Sequence, residues 1–534
     1  MTPRALDRSA RTARLRRGAL LAVVTVLGGV VPLLVGGCGD EDQIRISLVR
    51  AGDGDPLGAA ATVEVSVLSD DPSAAPLATS SFAVGESGKL GGKIPYGAAV
   101  HVVARGLTAG GDVVALGGSR ELVSPTDKGS SLDVQLFIAG TDTFYGTFDP
   151  ETALPTGPDS GLPGLSATRL SDGQVLIAGG TEIDALGQIT SISDIAYIYD
   201  PDRGTYRKVP SGLNNPRAYH TATAMRGRPS SILLCGGLTV VNNEIVSAAT
   251  CEVFDPANES FTPVPAPLNL PRVGHAAVLL PDGRVLLTGG ADIAKVSLGC
   301  GTCTRDDLLL STVHQKAEVY DPDARTLTQV QRDMIAARAF HSALRANKNG
   351  RVLLVGGEDD AGTTLASTET FMPEGDLFTS GQDLDVPRTR HAAARLPNDD
   401  VCVFGGLSDR ATLSSVSSTF ECFTVDAFGT AAKTAQLPMF ASRRDHCAVA
   451  LSSGEVLLFG GFGPDGNALA TAELDAPGVT AAQAGVPLKA RALHACTGLG
   501  GGGTGGWEAV LVVGGADARD GLWTSQPSGE IYTP

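Results

Sequence analysis

Six times the chain places an arginine three residues before a histidine: Arg217 with His220, Arg272 with His275, Arg338 with His341, Arg388 with His391, Arg443 with His446 and Arg491 with His494. A glutamate in an apolar stretch follows each pair, at Glu252, Glu318, Glu369, Glu421, Glu473 and Glu530. In a single copy, a guanidinium, an imidazole and a carboxylate could relay a proton or help to hold a metal ion. Six copies occupy six equivalent environments, and catalysis seldom needs six, so the trio reads as structural. One further repeat is an internal control, with Leu162, Leu165 and Ala196 at the three positions. Joint replacement predicts that the three contact one another as a charged, hydrogen-bonded cluster, each Arg pairing with the Glu of its own repeat. Removing one partner would strand a buried charge. No catalytic residue, metal site or cofactor is assigned.

The elements that carry this trio are also repeated. Glycine pairs begin at positions 179, 236, 289, 356, 405, 460 and 514, each closing an apolar run. "EVFDP" and "EVYDP" mark the glutamate strand, and "HAAVL", "HTATA", "HSALR", "HAAAR" and "HCAVA" put small residues on the strand after the histidine. Small residues suit strands that converge on an axis, and a period near 55 residues means a repeat array. These repeats resemble kelch-repeat β-propellers, including the propeller of galactose oxidase-like proteins, over about 390 residues. The resemblance implies four-stranded blades with the glycine pair ending the second strand. Seven pairs imply seven blades over 141–534. The last repeat stops at "GEIYTP", so "TDTFYGT" at 141–147 is expected to complete it, with Phe144 in the place of Phe261. A six-bladed ring with one divergent copy is the alternative.

A galactose oxidase-like copper site requires two histidines and two tyrosines converging on the axis, with a cysteine linked to one tyrosine. The repeat claims six of the eight histidines, leaving His101 and His314. His101 falls outside the array, and Tyr219 sits beside His220 at a repeat-locked position. The copper reading is therefore disfavoured.

Eight cysteines follow Cys38. Second and third strands of a blade run antiparallel, so a residue stepped back on one faces a residue stepped forward on the other. That register predicts disulfides Cys235–Cys251 and Cys402–Cys422. Cys300 and Cys303, in "GCGTC", read as a loop disulfide. Half of a zinc site with His314 is the alternative, although no second CxxC or paired histidine follows. The pairing of Cys447 and Cys496 stays open.

The amino-terminal part differs in kind. Residues 1–37 carry six arginines and then an apolar run from Ala19 to Val35, the order of an export signal. "VGGC" resembles the lipobox of bacterial lipoproteins, which implies a signal peptide over 1–37, lipidation at Cys38 and a tether over 38–43. An uncleaved membrane anchor is the alternative. Residues 44–140 show short alternating strands, as at Ile44, Ile46 and Leu48, and read as an immunoglobulin- or prealbumin-like β-sandwich. The fold class is thus all-β: a seven-bladed kelch-type propeller preceded by a small β-sandwich.

The whole chain carries a formal charge of −17, and removal of the leader would make it about −22. Such a surface excludes nucleic acid as a partner and leaves acyl chains, not a basic patch, to hold a membrane. Four-stranded blades put tight turns such as "SDG" and "PDG" on one face and long connections on the other. Binding loops are usually long ones on a rigid scaffold. The second face is the candidate, marked by Asp292, Asp359, Asp360, Asp409, Asp465 and Asp517, which form either a solvated rim or an attractor for a cation or basic partner. The reading is a non-catalytic, exported, lipid-anchored envelope protein that recognises a protein or glycan. A carbohydrate-active enzyme, such as a sugar oxidase or epimerase, and a purely structural envelope protein are the alternatives.

Overall fold

The computed structural model describes residues 20–26, 43–50, 55–69, 74–119, 122–126, 131–146, 162–226, 230–298, 304, 308, 310–479, 481–487, 489–500, 508–526 and 528–534. Cys38, residues 38–42 of the expected tether, Cys300 and Cys303 lie outside these. Every regular element among the described residues is a β-strand.

Nine strands precede the repeats: β1 (Leu20–Val26), β2 (Gln43–Arg50), β3 (Thr62–Ser69), β4 (Ala78–Ala83), β5 (Ser87–Ile94), β6 (Ala99–Leu107), β7 (Val113–Gly118), β8 (Leu122–Val123) and β9 (Ser131–Gly140). They form one sheet in the order β3-β4-β5-β1-β2-β9-β7-β6-β8, and β3 also pairs with β6, so the sheet closes on itself. Alternate residues such as Ile44, Ile46, Leu48, Val63 and Val65 fill its interior. This departs from the expected two-sheet sandwich in two respects: one closed sheet takes the place of two, and a strand from before residue 44 belongs to it. Part of the apolar leader inserts as β1, parallel to β2 and antiparallel to β5. Without β1 the two neighbours become free edges and the closed sheet opens.

The repeats build seven four-stranded sheets. In the second, Thr221–Ala224, Ile232–Cys235, Cys251–Asp255 and Ser260–Pro263 run antiparallel in chain order from the inside outward. Three strands of the seventh are Ala495–Gly498, Val510–Val513 and Glu530–Thr533; the fourth is Thr143–Gly146, paired through Thr143 with Thr533 and Phe144 with Tyr532. Innermost strands of successive sheets stand side by side, and Ala495–Gly498 lies against Ser166–Arg169 of the first sheet, so the ring is closed.

The glycine pair holds neighbouring sheets together. Gly236 and Gly237 have φ of 59° and 87°, in the left-handed region. A Cβ on Gly236 would lie 2.6 Å from the Arg272 carbonyl of the next sheet, and one on Gly237 would lie 2.4 Å from the Ala218 carbonyl of its own. The second glycine's N–H donates to that same Arg272 carbonyl at 2.9 Å. Equivalent bonds recur from Gly180 to Arg217, Gly290 to Arg338, Gly357 to Arg388, Gly406 to Arg443 and Gly461 to Arg491. Gly515 completes the circle by donating to Leu162.

Second strands are fully buried, and opposite the first residue of each sits one seat on the third strand. Tyr199, Phe254, Tyr320, Phe371, Phe423 and Tyr532 fill six of these seats. Several are paired with an aromatic ring on the fourth strand, as Phe254 with Phe261 at 4.9 Å. In the sixth sheet the seat, opposite Val456, holds Asp475.

Among the described residues, three disulfides fix the ring. Cys235–Cys251 and Cys402–Cys422 join second and third strands at directly opposed positions, as the register predicts. Cys447–Cys496 bridges the innermost strands of the sixth and seventh sheets. Three such bonds fit an oxidising, extracytoplasmic setting.

Candidate functional site

The repeated arginines are fully buried, and each meets the glutamate of its own repeat. Arg217 reaches Glu252 at 2.7 Å, Arg388 reaches Glu421 at 2.7 Å, Arg443 reaches Glu473 at 2.7 Å and Arg491 reaches Glu530 at 2.6 Å. Arg338–Glu369 and Arg272–Glu318 complete the set. Each arginine also donates to the carbonyl of the first glycine of its pair, as Arg217 to Gly236 at 3.0 Å. The glutamate's remaining capacity is taken in five repeats by backbone N–H groups entering from the preceding connection, such as Asn214 and Asn269. Most of the cluster's polar atoms are thus satisfied, which lets a buried ion pair be tolerated, although the buried Nε of Arg338, Arg388 and Arg491 makes no hydrogen bond.

The histidines do something else, which corrects the expectation of a three-membered cluster. Each ring edge lies against the first glycine of the preceding sheet. Three also bond a hydroxyl there: His220 to Ser166, His275 to Thr221 and His341 to Thr288, all at 2.9 Å. Arginine and glutamate therefore tie a sheet internally, and histidine ties it to its neighbour. Burial, reinforced by the adjacent arginine, pushes His220, His391 and His494 down to about 3 and His275, His341 and His446 well below the usual range. In the first repeat Leu162 and Leu165 take the seats apolarly, against Gly180 and Gly514.

The six marker aspartates are spread over separate loops. The Asp359 carboxylate accepts from Ala361 and Thr363 N–H, Asp409 from Ala411, and Asp465 from Asn467, all local turn bonds. Asp292 caps Ile293, Asp360 accepts from Val313 N–H, and Asp517 pairs with Arg519. Among the described residues, no three His, Cys, Asp or Glu side chains gather where they could hold a metal ion. His314 bonds the Pro271 carbonyl at 2.8 Å.

The long-loop face carries a second layer that the sequence reading did not resolve. Hairpins Ala516–Arg519 with Leu522–Ser525, Thr181–Ile183 with Ile189–Ile192, Leu238–Val241 with Glu244–Ser247, and Ala291–Ile293 with Leu310–Val313 rise above the seventh, first, second and third sheets. Neighbouring hairpins touch, and those above the first, second and third sheets share an apolar core through Ile189, Ile192, Leu238, Ile245 and Ile293. The fourth to sixth sheets carry only short loops closed by isolated bridges at Glu358, Leu407 and Phe462. The face is therefore walled on one side and low on the other.

Inside this wall lies a ring of seven equivalent residues, each just before the histidine position: Gly164, Tyr219, Gly274, Phe340, Arg390, Asp445 and Leu493. All seven have φ between 52° and 73°. Five are not glycine, and holding them there costs on the order of 1–3 kcal/mol each. Backbone bonds compensate: Tyr219 N–H donates to the Gly164 carbonyl, Phe340 to Gly274, Arg390 to Phe340, Asp445 to Arg390, Leu493 to Asp445 and Gly164 to Leu493, at 2.7 to 3.3 Å. The side chains lean backward round the ring. Tyr219 lies over Gly164, where a Cβ would come within 2.6 Å of its ring, Phe340 lies over Gly274, and the Arg390 guanidinium lies 5.4 Å from the Phe340 centroid.

Between ring and wall is a narrow cleft, open to solvent, with room for about one water molecule. Leu238, Val273, Ile293, Leu308 and Leu310 form its apolar side; Tyr219, Phe340, Arg390 and Arg410 form the other. Arg410 forms an ion pair with the buried Glu358 at 3.0 Å, and the other Glu358 oxygen accepts from Thr389 Oγ1 at 3.3 Å. The sequence signal for this site is faint: glycine alternating with an aromatic at the residue before histidine in four successive repeats.

No model of a known protein family matches the chain. It is 28% identical to tRNA wybutosine-synthesizing protein 4 of Emericella nidulans over 205 residues, 36% of this chain and 18% of that protein. It is 31% identical to an F-box/kelch-repeat protein of Arabidopsis thaliana over 137 residues, 24% of this chain and 28% of that protein. The chain thus matches less than a third of either relative's length. A fungal alcohol oxidase of the AA5 family, solved in complex with copper, superposes with a TM-score of 0.51 at 16% identity, covering 73% of this chain and 76% of that one. The fold is accordingly a kelch-type, galactose oxidase-like propeller. The copper of that oxidase finds no matching donor set among the described residues here: the repeat histidines are packed between sheets, and His314 bonds a backbone carbonyl.

Proposed function

We propose that the protein is a non-catalytic recognition module of the cell envelope that binds a protein or glycan at the walled mouth of its propeller. The observation that carries this reading is the ring of left-handed residues beside the cleft. Backbone strain at Tyr219, Phe340 and Arg390 presents two aromatic faces and a guanidinium to that cleft, and stored strain of this kind concentrates at ligand sites. Propellers host unrelated functions, so the fold alone decides nothing.

The proposal extends to location. The basic-apolar leader ending in "VGGC" supports export and lipid attachment at Cys38, and the acidic surface supports an anchor made of acyl chains. Cleavage there would remove β1 and leave β2 and β5 as the edges of an open sheet beside the tether. Among the described residues no helix is long and apolar enough to cross a membrane.

A binding screen against envelope glycans and surface proteins tests the reading, run beside metal analysis and a peroxide-release assay. Saturable binding that weakens in Phe340→Ala supports it. Stoichiometric metal with peroxide release would replace it by a carbohydrate-active oxidase, and no ligand at all by a structural envelope role.

A further inference from the structure

The strand that completes the amino-terminal sheet belongs to the segment that processing would take away. β1 is held on both sides: Leu21 to Val26 pair in parallel with Gln43 to Leu48 of β2, and Leu20 and Ala22 to Thr25 pair antiparallel with β5. On the far side β3 and β6 pair along their length, from Thr62 with Leu107 to Ser69 with Val100, and fix the roll. Once β1 leaves, β2 and β5 stand two strand spacings apart, about 9.5 Å, with unpaired N–H and C=O groups facing each other across the gap. Ile44, Ile46 and Leu48 on one edge and Leu90 and Ile94 on the other are at most 3% exposed while β1 is in place, so the gap opens onto core. Closing it directly would narrow the roll by one strand around an interior already filled by Val63, Val65, Val100 and Leu136.

We propose that this gap is a docking slot for a strand of another envelope polypeptide, an extended segment with apolar residues at three alternate positions, parallel to β2 and antiparallel to β5. Those positions are the ones Ala22, Val24 and Val26 hold in register with Ile44, Ile46 and Leu48. Main-chain bonds along both edges supply affinity, and the alternate side chains supply specificity. The other face tolerates polar residues, since Arg45 is exposed there and pairs with Asp133 at 3.6 Å. The processed chain cannot fill the slot itself: a parallel neighbour needs a crossover of roughly a dozen residues, and only "CGDED", residues 38–42, precedes β2 after cleavage. A second processed copy has lost the same strand. That tether reaches at most about 18 Å, so the slot is held beside the membrane, and the amino-terminal end of its occupant, opposite Gln43, points toward the anchor. This inference rests on the proposed cleavage before Cys38 and is separate from the mouth of the propeller.

The test uses the processed, acylated protein purified in detergent, with its intact mass taken first. The probe is a labelled peptide of residues 20–26, "LLAVVTV", extended by lysines for solubility. Its control carries Val24→Pro, which removes a ladder donor from the middle of the strand. Fluorescence anisotropy, with empty micelles as the blank, reads affinity, and hydrogen–deuterium exchange reads residues 43–50 and 87–94. Without probe both segments are expected to exchange fast. Saturable binding of the probe should slow both at least about tenfold, and the proline form should bind at least about tenfold more weakly. Slow exchange of both segments without probe, together with no binding, means that the edges have closed on each other and overturns the proposal. Equal affinity for the proline form overturns it as well. So does edge protection that grows with protein concentration alone, the sign that a second copy fills the gap. A mass that retains residues 20–26 overturns the cleavage on which the slot depends, whatever the peptide does.

Discussion

Replacing Asp475 by asparagine is expected to stabilise the protein in alkali and not in acid. Asp475 occupies the seat that aromatic residues fill in the other sheets, is 1% exposed, and has no hydrogen-bond partner on either carboxylate oxygen. Burial, with the Glu473 carboxylate adding to it and Arg443 opposing, pushes its carboxyl up from 3.8 to about 7. The folded state therefore holds a proton that the unfolded state has released between about pH 4 and pH 7, and stability falls as pH rises through that window. At 1.36 kcal/mol per pH unit, the wild type should lose about 3 kcal/mol between pH 5 and pH 8 that the asparagine variant does not lose. That difference corresponds to roughly 5 °C in thermal midpoint for a domain of this size. Differential scanning fluorimetry of both proteins across pH 5 to 8 measures it. Parallel melting curves at every pH would refute the argument, because they would mean that Asp475 is solvated or paired in solution.

The histidines predict the opposite slope in acid. Six imidazoles held neutral by burial gain protons only on unfolding, so stability should fall steeply as pH drops below about 6.5, with up to six protons taken up. Urea midpoints that stay flat from pH 6.5 to 4.5 would contradict this. Arg217→Leu alone should cost about 3–5 kcal/mol by stranding Glu252. Combining it with His220→Leu and Glu252→Ala, which copies the first repeat's Leu162, Leu165 and Ala196, should recover much of that loss in the same denaturation assay. Cys447→Ser opens a 49-residue loop between sheets, and the chain-entropy relation gives a loss of about 4 kcal/mol. An unchanged unfolding midpoint would show that the bond contributes nothing.

The fold class is legible in the sequence because glycine pairs recur at positions where no Cβ fits, and repetition within one chain stands in for comparison between chains. Two disulfides are legible because an antiparallel ladder fixes which residues oppose each other. Cys447–Cys496 is not, since it joins strands of different sheets, whose relative height no ladder specifies. Asp475 escapes notice for a related reason: "AELD" reads as another "EVFD", yet its aspartate falls one residue earlier, into the aromatic seat. The mouth is the least legible part. Tyr219, Phe340 and Arg390 occupy the variable position of Arg-x-x-His, and only the assembled ring shows that this position converges on one site. Aspartates draw attention in sequence but are mostly spent on local turns, while the residues that line the cleft come from seven different connections.

One experiment bears most directly on the mouth as the place of recognition. An envelope glycan and surface-protein screen, run with the wild type and Phe340→Ala at matched thermal stability, should give ligands whose affinity falls at least about tenfold in the variant. Ligands bound equally well by both proteins would place recognition elsewhere on the molecule and contradict the account.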